Sequence, residues 1–256
     1  MNLQGKTILI TGGGSGIGLE AAKQFLELGS KVIITGRNLD KLVAAKMLCP
    51  ALRIVQSDAS NEQDAKQLYK EVEALGGIDI LYHNAGIMIP SNNLGIPNNK
   101  HLEGAVYEME VNYFGVIRLN NLFMDMLKSR QEAAIINTTS ILSIVPSSIE
   151  ATYSASKSAL SFYTKSLRAH LNILKTNVKV FELLPPLVDT AMVADRDDKK
   201  ISAEKLVQQL IIGLKKDHYS IRVGDTKIIY FLNRIFPKLA FSIINPKKAN
   251  SQLTVY

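Results

Sequence analysis

Residues 11–18 of this chain read Thr11-Gly12-Gly13-Gly14-Ser15-Gly16-Ile17-Gly18, the most informative local motif in the sequence. It follows a short β-branched run and leads into a segment whose apolar residues recur at helical spacing. Glycines in such a strand-to-helix turn let backbone N–H groups approach a pyrophosphate and let the helix lie close to the sheet. The turn therefore predicts a dinucleotide site that uses Gly12, Ser15, Gly16, Ile17 and Gly18, with a purely structural turn as the alternative.

Short β-branched runs alternate with longer amphipathic stretches along the rest of the chain, as is typical of a parallel sheet covered by helices. We predict six or seven strands, at 7–11, 31–35, 53–57, 78–83, 134–138, 178–183 and 220–223. We predict helices near 17–28, 38–48, 61–75, 101–128, 152–174 and 202–215. The expected fold is α/β, a single-domain doubly wound parallel sheet (Rossmann fold) with helices on both faces. It would span residues 1–225, followed by an apolar and basic extension at 226–256.

Charge and cysteine content argue against several classes of protein. The formal net charge is +7, and residues 226–256 hold much of the excess because they contain basic but no acidic side chains. No aromatic-studded basic stripe indicates nucleic acid, and the histidines share no metal-ligand spacing with Cys49, so we expect neither partner. The first residues lack the pattern of a secretion signal, which indicates a cytoplasmic protein. Cys49 is interpreted as a packing residue.

The ends of the second and third predicted strands carry residues that would contact a dinucleotide. The second strand ends Thr35-Gly36-Arg37, where an NAD site would place a carboxylate against the ribose hydroxyls. A guanidinium suits a 2′-phosphate, so Arg37 favours NADP over NAD; an exposed arginine that starts the next helix is the alternative. The third strand ends Ser57-Asp58-Ala59. We expect Asp58 and Ala59 beside the adenine, although Asp58 could equally cap the following helix.

Polar residues also follow the next two strands. Asn84-Ala85-Gly86 ends the fourth strand, where we expect these residues to contact the cofactor, and Ser140 follows the fifth. Further along, Tyr153 and Lys157 stand one turn apart in a predicted helix, so they share a face. A nearby ammonium favours phenolate and would lower the pKa of Tyr153, as proton transfer at working pH requires. The pair alone is weak evidence, but chance does not explain its position after the glycine turn and two polar strand ends.

Taken in order, these motifs resemble the short-chain dehydrogenase/reductase family over nearly the whole chain. The resemblance rests on the glycine motif at 11–18, Asn-Ala-Gly at 84–86, Asn112, Ser140, and Tyr-x-x-x-Lys at 153–157. It implies a catalytic tetrad in which Tyr153, which also contacts the cofactor, transfers the proton and Ser140 holds the substrate oxygen. It further implies that Lys157 binds the nicotinamide ribose and tunes Tyr153, and that Asn112 supports a water relay to bulk solvent.

The segment after the sixth strand departs in part from the family pattern. Family members usually read Pro-Gly there, whereas this chain reads Pro185-Pro186-Leu187-Val188-Asp189-Thr190. The resemblance implies cofactor contacts from Pro185, Val188 and Thr190, the last two at the nicotinamide carboxamide. Pro186 should stiffen the backbone because it has a fixed φ and no N–H.

Two further features refine the resemblance. His83 replaces the first residue of the usual Asn-Asn-Ala-Gly. The proline-containing run at 185–190 and the later Ile221-Arg222-Val223-Gly224 are similar to a bacterial subgroup of the family, the DltE-like oxidoreductases.

Two segments flank the predicted site. The loop at 91–100 is either a wall of the substrate pocket or a solvated connection. The apolar stretch at 227–244 contains Arg234, Pro237 and Lys238, which would be costly in hydrocarbon, so we do not expect it to span a membrane. It could be a lid on its own subunit, a dimer contact or a basic amphipathic segment on anionic lipid. The family resemblance also implies a homodimer or homotetramer through the helices at 101–128 and 152–174.

The sequence thus predicts an NAD(P)-dependent oxidoreductase, with NADP(H) preferred, that transfers a hydride between the nicotinamide and a small carbonyl or secondary-alcohol substrate. The alternative is a non-catalytic dinucleotide sensor or scaffold with the same fold, which the filled tetrad positions disfavour. A third hypothesis, a peripheral membrane oxidoreductase acting on a lipid or cell-wall precursor, depends on the basic tail and the subgroup resemblance.

Overall fold

The computed structural model describes residues 1–89, 93–194, 196, 198–247 and 253. Its strands are β1 (Thr7–Thr11), β2 (Lys31–Gly36), β3 (Arg53–Gln56), β4 (Ile80–His83), β5 (Ala133–Thr138), β6 (Val178–Leu184) and β7 (Ser220–Arg222). They form one seven-stranded sheet of order β3-β2-β1-β4-β5-β6-β7, and every neighbouring pair is parallel. The predicted fold class is therefore confirmed, including the seventh strand.

The helices lie on both faces of this sheet. They are α1 (Gly16–Glu27), α2 (Leu39–Leu48), α3 (Glu62–Ala74), α4 (Asn99–Met109), α5 (Gly115–Lys128), α6 (Ala151–Ile173), α7 (Ala203–Lys215), α8 (Asp225–Ile235) and α9 (Pro237–Ile244). The single helix predicted at 101–128 is in fact α4 and α5 joined by a π-helical segment, Glu110–Phe114. The predicted extension after residue 225 contains α8 and α9.

Each strand supplies two apolar layers because successive side chains point to opposite faces of a sheet. Ile8 and Ile10 of β1 are fully buried against α1, α2 and α7, whereas Leu9 between them is buried against α3, α5 and α6. The sheet is thus covered on both sides, as its nearly continuous apolar strands require.

The sheet reverses its strand order between β1 and β4, and the chain leaves these two strands toward opposite faces. Open α/β sheets bind ligands in the crevice at such a reversal, beyond the carboxyl ends of the strands. Thr11 joins the two ends, because its Oγ1 accepts the backbone N–H groups of Asn84 at 3.1 Å and Ala85 at 3.0 Å. These bonds hold the carboxyl ends of β1 and β4 together at the base of the crevice.

The C-terminal helices pack on their own subunit. Ile229 of α8 and Ala240 of α9 are buried against Val145, in the segment that leads from β5 to α6. This is the arrangement expected of a lid on the chain's own core. The division into a domain at 1–225 and an extension at 226–256 stays a prediction. Among the described residues, we find no helix with both the length and the apolarity needed to cross a bilayer.

Candidate active site

The glycine turn between β1 and α1 cannot accept a larger residue at its first position. Gly12 has a φ of +66°, and a Cβ there would lie 2.8 Å from the Cα of Ala85. Asn84 secures the turn from the other strand, because its Nδ2 donates to the carbonyl oxygens of Thr11 at 3.3 Å and Gly12 at 3.2 Å. Gly18 belongs to the same close contact, since a Cβ there would lie 2.3 Å from the Gly12 oxygen. The predicted motifs at 11–18 and 84–86 therefore form one interlocked unit.

The turn opens onto a cleft with a volume of about 320 Å³, within the range of small-molecule sites. Ser15 precedes α1 without capping it through its side chain, which leaves the N–H groups of the first turn directed toward a ligand. Most of the predicted cofactor contacts line this cleft: Gly12, Ser15, Gly16, Ile17, Arg37, Asp58, Ala59, Asn84, Ala85, Gly86 and Thr190. At Gly12 and Gly18 any side chain larger than a hydrogen atom would clash with the backbone. A turn this tight fits a bound pyrophosphate.

Basic and amide side chains surround the end of the cleft at β2. Arg37, Asn38 and Lys41 all line it there, and no carboxylate follows β2 among them. Arg37 donates to the hydroxyl of Tyr107 on α4, and its guanidinium carbon lies 5.7 Å from the Tyr107 ring centre. The guanidinium is thus held at the mouth of the cleft by a residue that sequence reasoning missed.

Asp58 stands at the carboxyl end of β3, and its proposed role as a helix cap is wrong. The cap of α3 is Asn61, whose Oδ1 accepts the N–H groups of Gln63 and Asp64. Asp58 Oδ1 instead accepts from the backbone and hydroxyl of Ser60, at 2.9 and 2.7 Å. Because the Asp58 side chain also lines the cleft, the contact with an adenine remains the interpretation that fits.

The segment after β6 reaches the cleft only at its end. Thr190 lines the cleft beside Gly16, whose Cβ would lie 3.2 Å from the Thr190 methyl carbon. Val188 is buried in the core and forms a bridge with Ile201, and the carbonyl of Pro185 accepts the N–H of Ile141 at 2.8 Å. Neither Pro185 nor Val188 lines the cleft, so the cofactor contacts implied for them stay predictions.

Asn112 lies in the π-helical segment and is fully buried. Its Oδ1 accepts the N–H of Ile87 at 2.9 Å, and its Nδ2 donates to the Ile87 carbonyl at 2.9 Å and to Ser156 Oγ at 3.0 Å. A π-bulge adds one residue to a helical turn and redirects the side chains there, often at functional sites. Here it directs Asn112 toward both the strand end at β4 and the helix that bears Tyr153.

Lys157 ties α6 to the end of β5 and approaches the segment that follows β4. Its Nζ donates to the carbonyl of Thr138 at 3.0 Å and lies 5.7 Å from the ring centre of Tyr153. A Cβ on Gly86 would lie 3.1 Å from this Nζ and 3.3 Å from Asn112 Oδ1. Gly86 therefore provides the space in which the lysine and the asparagine converge beside the cleft.

Tyr153 and Ser140 face each other through a side-chain hydrogen bond. Ser140 is fixed in turn, because its Oγ accepts the N–H of Leu142 at 3.1 Å. Burial raises the pKa of Tyr153 to about 12, against the lowering effect of the Ser140 hydrogen bond. Burial also lowers the pKa of Lys157 to about 8. The prediction of a lowered Tyr153 pKa is therefore wrong for this structure, because desolvation of the phenolate outweighs the contacts that stabilise it.

Glu108 is a buried acid near this centre that sequence reasoning missed. It is fully buried on α4, one turn before Asn112, and its Oε1 accepts the N–H of Ile89 at 2.7 Å. Its Oε2 finds no hydrogen-bond partner among the described residues. Its charge raises the pKa of both Tyr153 and Lys157. In the sequence, only its helical spacing from Asn112 could have distinguished it from the exposed glutamates nearby.

The loop predicted at 91–100 is described only from residue 93 onward; residues 91 and 92 lie outside the described part. Asn98 caps α4 by accepting the N–H of Lys100 at 3.0 Å. Asn93 Nδ2 donates to the carbonyl of Leu253 at 2.7 Å, so Leu253 contacts this loop. The other residues from 248 to the end lie outside the described part.

The switch-point cleft, the glycine cradle and the buried Ser-Tyr-Lys arrangement define a dinucleotide-dependent α/β oxidoreductase. The family model for short chain dehydrogenases matches residues 6–201, so the chain belongs to the short-chain dehydrogenase/reductase family. It is thus an oxidoreductase of CH–OH and carbonyl groups that uses NAD(P), as the sequence predicted.

Known proteins support this assignment. The chain is 35% identical over 228 residues to the uncharacterized oxidoreductase DltE of Bacillus subtilis (strain 168), covering 86% of this chain and 89% of that protein. The predicted resemblance to DltE is therefore confirmed. A short chain dehydrogenase from Burkholderia cenocepacia J2315, solved in complex with NADP, superposes with a TM-score of 0.83 at 26% identity over 100% of both chains. A 3-ketoacyl-(acyl-carrier-protein) reductase from Brucella melitensis, solved with NADH, has a TM-score of 0.75 at 26% identity, covering 82% of this chain and 91% of that one.

Proposed function

We propose that the protein is an NADP-preferring reductase or dehydrogenase of a small carbonyl or secondary alcohol, with Asn112, Ser140, Tyr153 and Lys157 as its catalytic tetrad. The proposal rests on the position of two tetrad side chains beside Gly86. Lys157 Nζ and Asn112 Oδ1 both lie close to the point where a Cβ of residue 86 would be. This point adjoins the cleft. Tyr153 lies on the same helix as Lys157, and its partner Ser140 follows the neighbouring strand β5.

The chain's own residues would hold the substrate and move a proton. A bound nicotinamide nucleotide supplies the hydride. Ser140, fixed by the Leu142 N–H, would orient the substrate oxygen, and the Tyr153 hydroxyl would give or take the proton at that oxygen. A high pKa for Tyr153 keeps the phenol protonated, as donation to a carbonyl oxygen requires. Lys157 would present its ammonium to the ribose, and Asn112 would link the site to α6 through Ser156.

The preference for NADP rests on the charge at the end of β2. Arg37 and Lys41 both line the cleft there, and an arginine fork binds phosphate better than it binds a hydroxyl. The absence of a carboxylate among the lining residues at this strand end removes the group that would select an unphosphorylated ribose.

Turnover with a matched phenylalanine variant tests this function. We expect NADPH oxidation with members of a panel of ketones, aldehydes and quinones, and Tyr153→Phe should lower kcat/KM by roughly 10²–10⁴ because general acid catalysis is lost. NADPH should still bind to this variant, because the glycine turn and Arg37 line the cleft independently of the phenol. Binding of NADPH with no turnover in either protein would instead favour the sensor or scaffold role.

We also propose a homo-oligomer through the outer face of α4 to α6. Leu102, Val106, Phe114 and Phe162 are exposed apolar side chains on this face, where monomers seldom leave such residues together. Light scattering on the wild type and on Phe162→Glu tests the contact. A charge at a self-complementary interface should reduce the mass to that of the monomer.

A further inference from the structure

The helix pair α8–α9 has an inner face that the fold already uses. Asn233 Nδ2 donates to the carbonyl of Ile144 at 3.2 Å, and Asn245 Oδ1 accepts the N–H of Ser148 at 2.6 Å. These bonds hold both helices on the segment that joins Ser140 to α6. The position of the pair is therefore fixed without any contribution from its outer face.

The outer face of the pair is apolar. On α8, Ile228, Phe231 and Ile235 recur at spacings of three and four, so they form one stripe on the side opposite the buried Ile229. Large side chains of the junction and of α9 continue the apolar surface. The large apolar side chains that the helix pair leaves exposed are between 47% and 62% exposed: Ile228, Phe231, Ile235, Phe236, Leu239, Phe241 and Ile243. An apolar patch of this size on a folded chain indicates a binding surface.

The charges beside this surface are all positive beyond Asp225. Lys227 and Arg234 stand one turn to either side of Phe231, so they border the stripe, and Lys238 and Lys247 follow on and after α9. None of these four cations forms an ion pair with another residue in the described part of the chain. Their charges are thus available to an anionic partner.

We propose that the outer face of α8–α9 docks on a bilayer surface that carries anionic phospholipid. An apolar stripe bordered by lysine and arginine is the pattern of a helix that lies in the interface, with its apolar side in the acyl boundary and its cations at the headgroups. Phosphate groups complement the unpaired cations, and the phenylalanine side chains complement the lipid.

A second copy of the chain fits this face less well. In a twofold contact this face would pack against its own copy, and beyond Asp225 it offers no acid that could pair with Lys227 or Arg234 of the other copy. The exposed apolar face of α4 to α6 has charges of both signs, such as Glu103 and Lys165, and is suited to self-association. The two apolar surfaces of the molecule therefore have different partners.

Vesicle co-sedimentation of the full chain tests the proposal. The vesicles are phosphatidylcholine alone or phosphatidylcholine mixed with phosphatidylglycerol, at low and at high salt. We expect binding only to the mixed vesicles and release by salt, since screening weakens headgroup attraction. Phe231→Ser and the double variant Lys227→Gln/Lys238→Gln should each weaken binding, the latter at least roughly tenfold, because each cation near an anionic leaflet contributes about a fivefold factor.

Two control variants separate this face from general surface properties. Met47→Ser removes an apolar side chain on α2 that is more exposed than Phe231, at 79% against 62%, and Lys215→Gln/Lys216→Gln removes the same charge at the end of α7. Both should bind the mixed vesicles like the wild type, and all variants should keep the wild-type melting temperature. Failure of the wild type to bind at low salt would overturn the proposal, as would equal losses in the controls. A fall in the oligomer mass of Phe231→Ser would assign the face to a second copy instead.

Discussion

Lys157 Nζ donates a hydrogen bond to the carbonyl oxygen of Thr138 at 3.0 Å, which ties the helix of the tetrad to the end of strand β5. Because the lysine is buried, its pKa falls to about 8. The ammonium is therefore present below about pH 8 and is lost as the pH rises through that value. The position of this amine makes the site sensitive to mildly alkaline conditions.

We accordingly expect kcat/KM for carbonyl reduction to fall above about pH 8, as the ammonium that would hold the ribose is lost. The profile should be measured with saturating NADPH and again with limiting NADPH, because the loss should be steeper in the limiting case. Lys157→Met should abolish this limb together with most of the activity. A wild-type profile that stays flat well above that pH would contradict the assignment.

Glu108→Gln should move the same limb to lower pH. The carboxylate raises the pKa of Lys157, so its removal lets the ammonium lose its proton earlier. The amide keeps an oxygen that can accept the Ile89 N–H, so the loop after β4 should remain in place. Glu110→Gln is the matched control, since Glu110 stands two residues away and pairs with Arg118 at 3.4 Å. Equal profiles for both variants would leave Glu108 with a structural role only.

Arg37→Asp should reverse the preference between the two nucleotides. The change removes the fork proposed for the 2′-phosphate and places a carboxylate where an NAD site has one. We expect the ratio of dissociation constants, NADH to NADPH, to fall by roughly 10²-fold, the equivalent of about 3 kcal/mol for a lost charged hydrogen-bond pair. Arg53→Asp on the exposed start of β3 makes the same charge change and should leave the ratio unaltered. Fluorescence titration of each nucleotide measures it.

Gly12→Ala should impair both folding and nucleotide binding. The new Cβ would lie 2.8 Å from the Ala85 Cα in a backbone with φ of +66°. Gly76→Ala separates the two effects, because Gly76 has a φ of +93° but nothing within 4 Å of its Cβ position. We expect both variants to lose about 1 kcal/mol or more of unfolding free energy from backbone strain. Only Gly12→Ala should lose NADPH affinity, and an unimpaired titration would remove this turn from the site.

His83 should make the protein less stable in mild acid. Burial lowers its pKa to about 4, and Nε2 lies 2.9 Å from Asn120 Oδ1. The unfolded chain binds a proton near pH 6.5, so stability falls as the pH drops from about 6.5 to about 4. The loss from this residue amounts to about 3 kcal/mol over that window. Urea unfolding across the window should show a smaller loss for His83→Asn, and equal slopes for the two proteins would refute the effect.

The sequence alone determined the sheet and the position of its binding edge. Gly12 and Gly18 lie in a strand-to-helix turn whose glycine spacing is typical of dinucleotide sites. Ile8, Leu9 and Ile10 form a continuous apolar run, which is typical of a parallel strand covered on both faces. Such signals are local, because they depend on backbone conformation and on the period of the side chains. For the same reason the motif at 153–157 could be assigned to one helical face.

The tertiary structure decided what surrounds those motifs. The site depends on contacts between residues far apart in the chain, such as those of Glu108 with Ile89 and of Tyr107 with Arg37. Neither these contacts nor the π-helical turn around Asn112 can be derived from residue spacing. The same holds for the pKa of Tyr153, where the desolvation set by the folded surroundings outweighs the helical neighbour that the sequence displays. Periodicity shows which face of a helix is apolar, but only packing shows that α8 buries one apolar side and leaves a second one exposed.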